Sequence, residues 1–332
     1  MAARRRGKKK SGRSYAWRYR GRIVACVFVE VIIICALVIM IGWNKGVKEW
    51  FEQFEQPVLK EVDISGINSP NAILMQARGG KILGEINGEA QIYPASMTKI
   101  MTVILGIENF DDLDEKITLT DEMFAGLYEQ DATQAGFQPG EEVRVIDLLY
   151  GAMLPSGAEC CIALADTISG SEADFAELMN KKAGKLGMEN THFCDSTGLH
   201  NPDHYSTVKD IAVLMKYCIK NDTFREIVET SRHSTGVTNI HPDGITYYST
   251  MFKNLSDPTV TGGKILGGKT GYTSEAGHCL VSFAEIEGRE YIFVSAGASG
   301  ADGNTIPHIQ DAVTVYNRVG AAIEEKMNDN NK

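Results

Sequence analysis

The sequence predicts an α+β fold in which one antiparallel sheet is flanked by helices, with an all-helical lobe inserted between its strands. Two short apolar runs joined at a Gly-Gly turn open the domain, and residues 99–229 then show apolar residues mainly at helical spacing. Strand-like runs return only after residue 266. Because strands come from both ends of the domain, the helical middle is predicted to be the insertion. We place this domain at residues 65–327.

Each element is predicted from its local pattern. The runs Ala72–Ala77 and Lys81–Ile86 flank Arg78-Gly79-Gly80, which is typical of a β-hairpin. Residues 230–262 are polar and rich in turn-forming residues. Helices are predicted at Val143–Met153, Glu159–Ile168, Glu172–Leu186, Thr207–Ile219 and Thr305–Lys326, and late strands at Gly267–Thr273, His278–Ile286 and Glu290–Ala298.

The N-terminal residues predict a membrane anchor. Residues 1–22 carry ten Lys or Arg and no Asp or Glu, and residues 23–42 are apolar except for Glu30. That apolar run is long enough to cross a bilayer as a helix, and the basic flank favours the cytoplasmic side. We therefore predict a basic cytoplasmic tail (1–22), a transmembrane anchor (23–42) and a polar stalk (43–64). A cleaved signal peptide is the alternative, although the run is longer than a typical signal core and no Ala-x-Ala site follows it.

The charge balance argues against a nucleic-acid partner. The whole chain carries −10, but the first 22 residues contribute +10 and Glu30 contributes −1. Residues 31–332 therefore carry −19. Because so acidic a domain repels the phosphate backbone, no nucleic-acid binding is expected.

The stretch Tyr93–Lys99 holds a candidate nucleophile. Ser96 and Lys99 are three residues apart at the start of an apolar helical run, so their side chains share one face of a helix. Pro94 is accepted in the first turn of such a helix. A lysine that is kept neutral can take the proton from a neighbouring serine, which makes the pair an activated nucleophile.

Ser-x-x-Lys also occurs by chance, so the Ser96 pair needs support from other motifs. A second match, at residues 206–209, is better explained as a helix start capped by Thr207. Two further stretches provide the support. Leu154–Glu159 places a Ser-Gly loop at the entry to a helix of the lobe, and Gly267–Thr273 places Lys-Thr-Gly on a late strand.

In this order, a helix-start Ser-x-x-Lys, a loop Ser-Gly and a strand Lys-Thr-Gly form the set known from penicillin-recognising serine enzymes. The sequence resembles the low-molecular-mass penicillin-binding proteins, specifically the serine D-alanyl-D-alanine carboxypeptidases of bacterial cell-wall metabolism. The resemblance runs from about residue 65 to 325 and implies a β-lactamase/transpeptidase-like fold, with the active site between sheet and lobe. Further stretches that carry it are Ile162–Asp166, Asn190–Phe193, Thr197–Leu199 and His204–Thr207.

The resemblance implies a role for each motif. Ser96 would attack the carbonyl of the penultimate D-Ala and form an acyl-enzyme. Lys99 would act as the base, and Ser156 would relay a proton to the leaving amine. Lys269 and Thr270 would bind the terminal carboxylate of the substrate.

The resemblance also implies an oxyanion hole and a set of partners. The backbone N–H groups of Ser96 and Tyr272 would hold the oxyanion, and Gly271 would let the backbone approach closely. No cofactor and no metal are expected. The expected partners are peptidoglycan stem peptides ending in D-Ala-D-Ala, with β-lactams as covalent inhibitors, and the membrane through residues 23–42. The expected location is the bacterial cell membrane, with one span, a cytoplasmic N-terminus and an extracytoplasmic catalytic domain.

One motif departs from the family pattern. The middle motif normally reads Ser-x-Asn, whereas this chain has Ser156-Gly157-Ala158. Losing the Asn amide removes hydrogen bonds of roughly 0.5–1.5 kcal/mol each to a lysine and to the substrate. A catalytically impaired peptidoglycan-binding homologue is therefore one alternative function. A β-lactamase-like hydrolase, which shares the three motifs, is the other.

A zinc peptidase would be a different chemistry. His200 and His204 are four residues apart, with Asp203 nearby. Pro202 lies between them, so the helix that would put both imidazoles on one face is not expected. We therefore expect these histidines to serve loop structure.

Overall fold

The computed structural model describes residues 59–255, 257–300 and 306–330. The predicted tail, the predicted anchor and residues 43–58 of the predicted stalk lie outside the described residues. Within the described ranges, no helix combines the length and the apolar composition that a bilayer span requires.

A six-stranded antiparallel sheet forms the centre of the fold. The described residues form ten strands, which in chain order are β1 (Asn71–Gln76), β2 (Ile82–Ile86), β3 (Lys116–Thr118), β4 (Glu142–Arg144), β5 (Arg232–Ser234), β6 (Thr246–Tyr248), β7 (Thr259–Val260), β8 (Gly263–Thr273), β9 (Gly277–Ile286) and β10 (Arg289–Ala298). Six of them belong to this sheet, while β3–β4 and β5–β6 form two small antiparallel pairs. The central sheet has the order β2-β1-β10-β9-β8-β7. Strands from both ends of the domain therefore pair in one antiparallel sheet, as predicted.

Seven of the eight described helices lie between β2 and β8 in sequence, among the short strands β3–β7, and the eighth follows β10. The helices are, in chain order, α1 (Lys99–Asn109), α2 (Val145–Met153), α3 (Ala158–Ser169), α4 (Glu172–Leu186), α5 (Val208–Cys218), α6 (Asp222–Glu229), α7 (Thr250–Asn254) and α8 (Pro307–Asn330), with 3₁₀ turns at Ala95–Thr98 and Asp121–Phe124. The predicted inserted lobe is confirmed. Thr207 caps α5, and its side chain accepts a hydrogen bond from the backbone N–H of Asp210.

Some boundaries differ from the predictions. The helix expected from Val143 begins only at Val145, because Val143 is buried in β4, which pairs with β3. β8 begins at Gly263, four residues before the expected strand, and its first two residues pair with β7. The turn-rich region 230–262 contains the small β5–β6 hairpin and α7.

The central sheet separates two hydrophobic cores. On β9, Val281 and Phe283 face the larger core, which packs against the helical lobe. Leu280 and Ala284 alternate with them and face the smaller core, which packs against α8. Because successive side chains of a strand point to opposite faces, β9 carries apolar residues on both faces and serves both cores.

The segment before β1 is fixed to α8 by Asp311. One oxygen of its carboxylate accepts hydrogen bonds from the backbone N–H and side-chain amide of Asn68, both at 2.8 Å. The other oxygen accepts from the backbone N–H of Ser69 at 2.9 Å and from its hydroxyl at 2.6 Å. Asp311 and Ser69 are both buried, so the two bonds between them connect the ends of the domain away from solvent.

We predict that Asp311→Ala lowers the free energy of unfolding by about 2–4 kcal/mol, because it leaves buried donors of Ser69 without an acceptor. The measurement is urea unfolding of the full chain. The matched control is Gln310→Ala, an exposed neighbour on the same helix, which should change stability by less than about 0.5 kcal/mol. Equal losses in the two variants would contradict the prediction.

Candidate active site

The candidate nucleophile lies in a tight turn ahead of a helix. Ala95–Thr98 form a 3₁₀ turn after Pro94, and α1 follows from Lys99. The amine Nζ of Lys99 lies 3.0 Å from the Ser96 hydroxyl and donates a hydrogen bond to it. Ala95 has φ +47°, a left-handed conformation that costs energy for a residue with a side chain. The predicted Ser–Lys pair is therefore in direct contact.

Lys99 is almost fully buried, with 3% of its surface exposed. Its amine also donates to the backbone carbonyl of Thr197 at 2.6 Å. Burial lowers the pKa of Lys99, while the nearby Cys161, Asp195 and Glu159 act in the opposite direction. A lowered pKa increases the neutral fraction of the amine near neutral pH, and a neutral amine can accept the Ser96 proton.

A second Ser–Lys pair faces the first from the other side of the site. Ser156 lies in the turn between α2 and α3 with φ +74°. The amine of Lys269, on β8, donates to the Ser156 hydroxyl at 3.0 Å and to the Thr270 carbonyl at 2.9 Å. Burial, followed by the charge of Lys99, lowers the pKa of Lys269 well below its usual value. Because two buried cations repel each other, they favour a state in which one amine is neutral.

Strand β8 passes directly against the Ser96 turn. A Cβ atom at Gly271 would lie 3.0 Å from the backbone nitrogen of Ser96, which is tighter than ordinary packing allows. Glycine at this position therefore permits the close approach. Thr270 shares a hydrogen bond of 2.7 Å with the hydroxyl of Thr250. Beyond Lys264, one edge of β8 has no strand partner among the described residues.

These elements border a cleft of about 690 Å³ between the sheet and the lobe. Five of the predicted site residues line it, namely Ser96, Ser156, Thr270, Gly271 and Tyr272. Lys99 and Lys269 lie behind this surface and reach it through the two serine hydroxyls. The structure therefore brings all the predicted site residues together.

Ala158 occupies the position of the expected Asn. It is buried at the first turn of α3, and its backbone N–H donates to the Thr133 carbonyl at 2.8 Å. The next residue, Glu159, accepts hydrogen bonds from the backbone N–H groups of Ala135 at 2.6 Å and Gly136 at 2.9 Å. Burial raises the pKa of Glu159, which favours its neutral form. These contacts fix the loop that forms the far wall of the cleft.

Three contributors to the site were not predicted from the sequence, namely Thr197, Asp195 and Thr250. Thr197 acts through a backbone carbonyl, which no side-chain pattern reveals. Asp195 accepts hydrogen bonds from the backbone N–H groups of Thr197 and Gly198, each at 2.7 Å. The signal available was the Asp-Ser-Thr-Gly order, which is typical of an Asx turn. Thr250 lies in the turn-rich region and gave no local signal.

The two histidines considered for a zinc site, His200 and His204, each contact other side chains of the protein. His204 is buried and lies within hydrogen-bond distance of Thr98 and Asp195. The ring of His200 packs edge-on against Tyr93, with centroids 4.7 Å apart. Over the described residues, no group of three or more potential ligands is placed to hold a metal ion.

A sheet built from both ends of a domain, an inserted helical lobe and two Ser–Lys pairs at their boundary define the penicillin-recognising class of serine enzymes. The model of the peptidase S11 family, described as D-alanyl-D-alanine carboxypeptidase, matches residues 58–300. The chain belongs to this family.

Curated relatives agree with this assignment. The chain is 35% identical over 231 residues to the D-alanyl-D-alanine carboxypeptidase DacF of Bacillus subtilis (strain 168), which covers 69% of this chain and 57% of DacF. It is 35% identical over 236 residues to the D-alanyl-D-alanine carboxypeptidase of Streptomyces sp. (strain K15), covering 69% of this chain and 78% of that protein. The chain thus spans less than three fifths of the length of DacF, and likewise of DacC of Escherichia coli (strain K12), at 57% and 58%.

Solved structures confirm the β-lactamase/transpeptidase-like fold. The crystal structure of the Streptomyces K15 DD-transpeptidase superposes with a TM-score of 0.69 at 29% identity, covering 79% of this chain and 100% of that one. A D-alanyl-D-alanine carboxypeptidase from Mycobacterium tuberculosis H37Rv gives a TM-score of 0.69 at 22% identity, covering 80% and 96% of the two chains. The second likeness concerns the fold alone.

Gly198 and Gly170 allow a matched test of how tightly the site is packed. Both have φ near +80°, but a Cβ at Gly198 would collide with the Ala95 carbonyl, whereas nothing lies within 4 Å of one at Gly170. We predict that Gly170→Ala lowers the free energy of unfolding by about 1 kcal/mol, the cost of the backbone conformation alone. Gly198→Ala should cost at least about 2 kcal/mol more, because the Ser96 turn must shift. Urea unfolding measures both, and equal losses would show that the contact with Ala95 is not restrictive.

Proposed function

We propose that this chain is a serine-type D-Ala-D-Ala carboxypeptidase that removes the terminal D-Ala from peptidoglycan stem peptides through an acyl-enzyme on Ser96. The observation that carries the proposal is the 3.0 Å contact between the Ser96 hydroxyl and the buried amine of Lys99. The lowered pKa of Lys99 supports its role as base. Membership of the S11 family gives the substrate class.

Acylation uses both Ser–Lys pairs. The neutral amine of Lys99 takes the proton of Ser96 as the hydroxyl oxygen attacks the carbonyl carbon of the penultimate D-Ala. The backbone N–H groups of Ser96 and Tyr272 stabilise the oxyanion of the tetrahedral intermediate. Ser156 delivers its hydroxyl proton to the leaving nitrogen and takes a replacement from the ammonium of Lys269, which donates a hydrogen bond to it. The C–N bond breaks, an ester forms on Ser96, and D-Ala leaves as a neutral amine that takes a second proton from solvent.

Deacylation repeats the same proton transfer, with water in place of Ser96 as the nucleophile. Lys99, now protonated, first returns its proton to the Ser156–Lys269 pair, which gave one proton to the leaving group. It then takes a proton from a water molecule, which attacks the ester carbonyl. The ester bond breaks, Ser96 regains its hydroxyl proton, and the shortened stem peptide leaves with a new carboxylate.

Substrate orientation is assigned to β8. An extended peptide adds along the unpaired edge of this strand through backbone hydrogen bonds. The Thr270 hydroxyl then receives the terminal carboxylate, and Lys269 contributes its charge from behind the cleft surface. A β-lactam, which carries an acid group beside a reactive amide, occupies the same positions and acylates Ser96.

We also propose the cellular arrangement that the sequence predicts. Residues 23–42 anchor the protein in the bacterial cell membrane, with residues 1–22 in the cytoplasm. The catalytic domain then faces the cell wall, where stem peptides are exposed. The apolar run and its basic flank support this arrangement.

Ser96→Ala should abolish the release of D-Ala from a peptide ending in D-Ala-D-Ala, with a fall of more than about a thousandfold, and should abolish covalent labelling by a fluorescent penicillin. The assays are free D-Ala and in-gel fluorescence of the full chain. Ser231→Ala, at an exposed serine outside the cleft lining, is the control and should retain both signals.

The same assays separate the alternatives. Labelling at Ser96 without D-Ala release would reject the carboxypeptidase assignment while keeping the acylating serine. Absence of both signals in the unaltered chain would favour a catalytically impaired peptidoglycan-binding protein, consistent with Ala158. Rapid turnover of penicillin, in place of a long-lived acyl-enzyme, would identify a β-lactamase-like hydrolase.

The rate of penicillin labelling should rise with pH as Lys99 loses its proton. Because burial lowers the pKa of Lys99, the midpoint of this rise should lie below the ordinary lysine value of 10.5. Lys99→Arg keeps a positive charge that is not lost in this range, so its labelling should be very slow at every pH. A wild-type midpoint at or above 10.5 would argue against Lys99 as the base.

A further inference from the structure

A row of three polar side chains, two of them buried, lies behind the proposed nucleophile and outside the two Ser–Lys pairs. The hydroxyl of Thr98, which precedes Lys99, is 2.9 Å from Nε2 of His204. Nδ1 of the same ring is 3.2 Å from a carboxylate oxygen of Asp195. Thr98 and His204 are buried, so solvent does not compete for these contacts. This row of side chains therefore connects the Ser96 turn to the loop that carries Asp195.

The other carboxylate oxygen of Asp195 fixes the neighbouring loop. It accepts hydrogen bonds from the backbone N–H and the hydroxyl of Thr197 and from the backbone N–H of Gly198, each at 2.7 Å. The carbonyl of that same Thr197 accepts the hydrogen bond from the Lys99 amine at 2.6 Å. Asp195 thus fixes the position of Thr197, whose carbonyl in turn accepts the hydrogen bond from the amine of Lys99, the proposed base.

These contacts restrain Lys99 at two points, its side-chain amine and the backbone beside it. The Thr197 carbonyl fixes the amine of the Lys99 side chain. The contact between Thr98 and His204 fixes the backbone that directly precedes Lys99. The contact of Gly198 with the Ala95 carbonyl closes the same loop onto the Ser96 turn. An amine with three rotatable donors is therefore restrained from both sides.

We propose that Asp195, supported by His204, is a positioning residue for Lys99, which fixes the Thr197 carbonyl and whose negative charge sets the pH at which Lys99 becomes a base. This inference rests on the proposed function. It concerns the pH range and the speed of acylation, and it assigns Asp195 no contact with the substrate.

The charges around Lys99 support an electrostatic role. From α3 it is faced by Cys160, Cys161 and Glu159, from β8 by Lys269, and from the loop after α4 by Asp195. Cys161, Asp195, Glu159 and Cys160 all oppose the effect of burial on the pKa of Lys99. Burial raises the pKa of Cys161 to about 12 and also raises the pKa of Cys160 and of Glu159, which favours their neutral forms, so Asp195 is the group that keeps its negative charge.

Asp195 stays ionised through the working range of the enzyme. Burial would raise the pKa of its carboxyl, but the hydrogen bonds and charge of His204 and the donors of Thr197 lower that pKa to about 2. Glu172, on α4, also faces Asp195, and burial raises the pKa of Glu172. A carboxylate that never titrates near neutral pH supplies a constant field at Lys99.

The test is the pH profile of penicillin labelling at Ser96 in the full chain. Asp195→Asn removes the charge but keeps an oxygen that accepts from Thr197 and Gly198, and its amide can donate to His204. The alkaline-going rise in labelling should move to lower pH, because Lys99 then loses its proton more readily. The matched control, Asp203→Asn, removes an exposed carboxylate of the same loop, whose field is screened by solvent, and should leave the profile unchanged.

A second variant separates charge from position. His204→Gln keeps the Asp195 carboxylate but removes the imidazole, so the plateau rate should fall by roughly tenfold or more while the midpoint stays at its wild-type pH. Thermal unfolding of each variant reports the folded fraction, so that rates are compared for folded protein. If Asp195→Asn does not fold, His204→Gln still decides the positioning role, and an unchanged plateau rejects it.

Two results would overturn the proposal. Slower labelling of Asp195→Asn at every pH, with an unmoved midpoint, would indicate a structural role only. An unchanged profile would show that Asp195 does not act on Lys99 at all. If the unaltered chain is not labelled at Ser96, it is the proposed function that fails, so the two failures are distinguishable.

Discussion

Two lysine amines buried beside two serine hydroxyls impose the constraint on which the rest of this structure depends. Lys99 and Lys269 are almost fully buried, and a buried ammonium group is tolerated only where acceptors surround it. Those acceptors come from four separate parts of the chain, namely the turn at Ser96, the loop at Thr197, the turn at Ser156 and strand β8 itself. The helical lobe and the sheet must therefore meet along one line, and the cleft lies on that line.

Backbone strain is concentrated at the same place. Among the described residues other than glycine, three with positive φ lie in or beside the cleft: Ala95, Asp131 and Ser156. Such conformations persist only where the surrounding contacts outweigh their cost. The contact between Gly198 and the Ala95 carbonyl is one of these, and it explains why so small a residue stands there. Packing and the proposed catalysis are thus linked, because the contacts that stabilise the lobe also orient the Ser96 hydroxyl.

The sequence predicted what depends on local periodicity, and it missed what depends on long-range contact. Apolar spacing located the helices and strands because it records burial directly, and Ser96 and Lys99 were paired because one turn separates them. Ser156 and Lys269 are far from both in sequence, so only resemblance to a family could assign them to the site. The Thr197 carbonyl escaped notice since every residue has one. Val143 was assigned to a helix because a three-residue strand gives too short an alternation to outweigh the helical pattern beyond it.

The pairing of β1 with β10 determines how late in protein synthesis the sheet can form. Asn71 lies opposite Ala296, 225 residues later in the chain, so the centre of the sheet cannot close until almost the whole domain has been synthesised. The lobe helices rely on near neighbours and can form early, whereas the sheet relies on distant partners and forms late. Lys269 reaches Ser156 only in this last stage. A growing polypeptide therefore carries Ser96 in an unassembled site, and the proposed nucleophile meets all of its partners only in the completed fold.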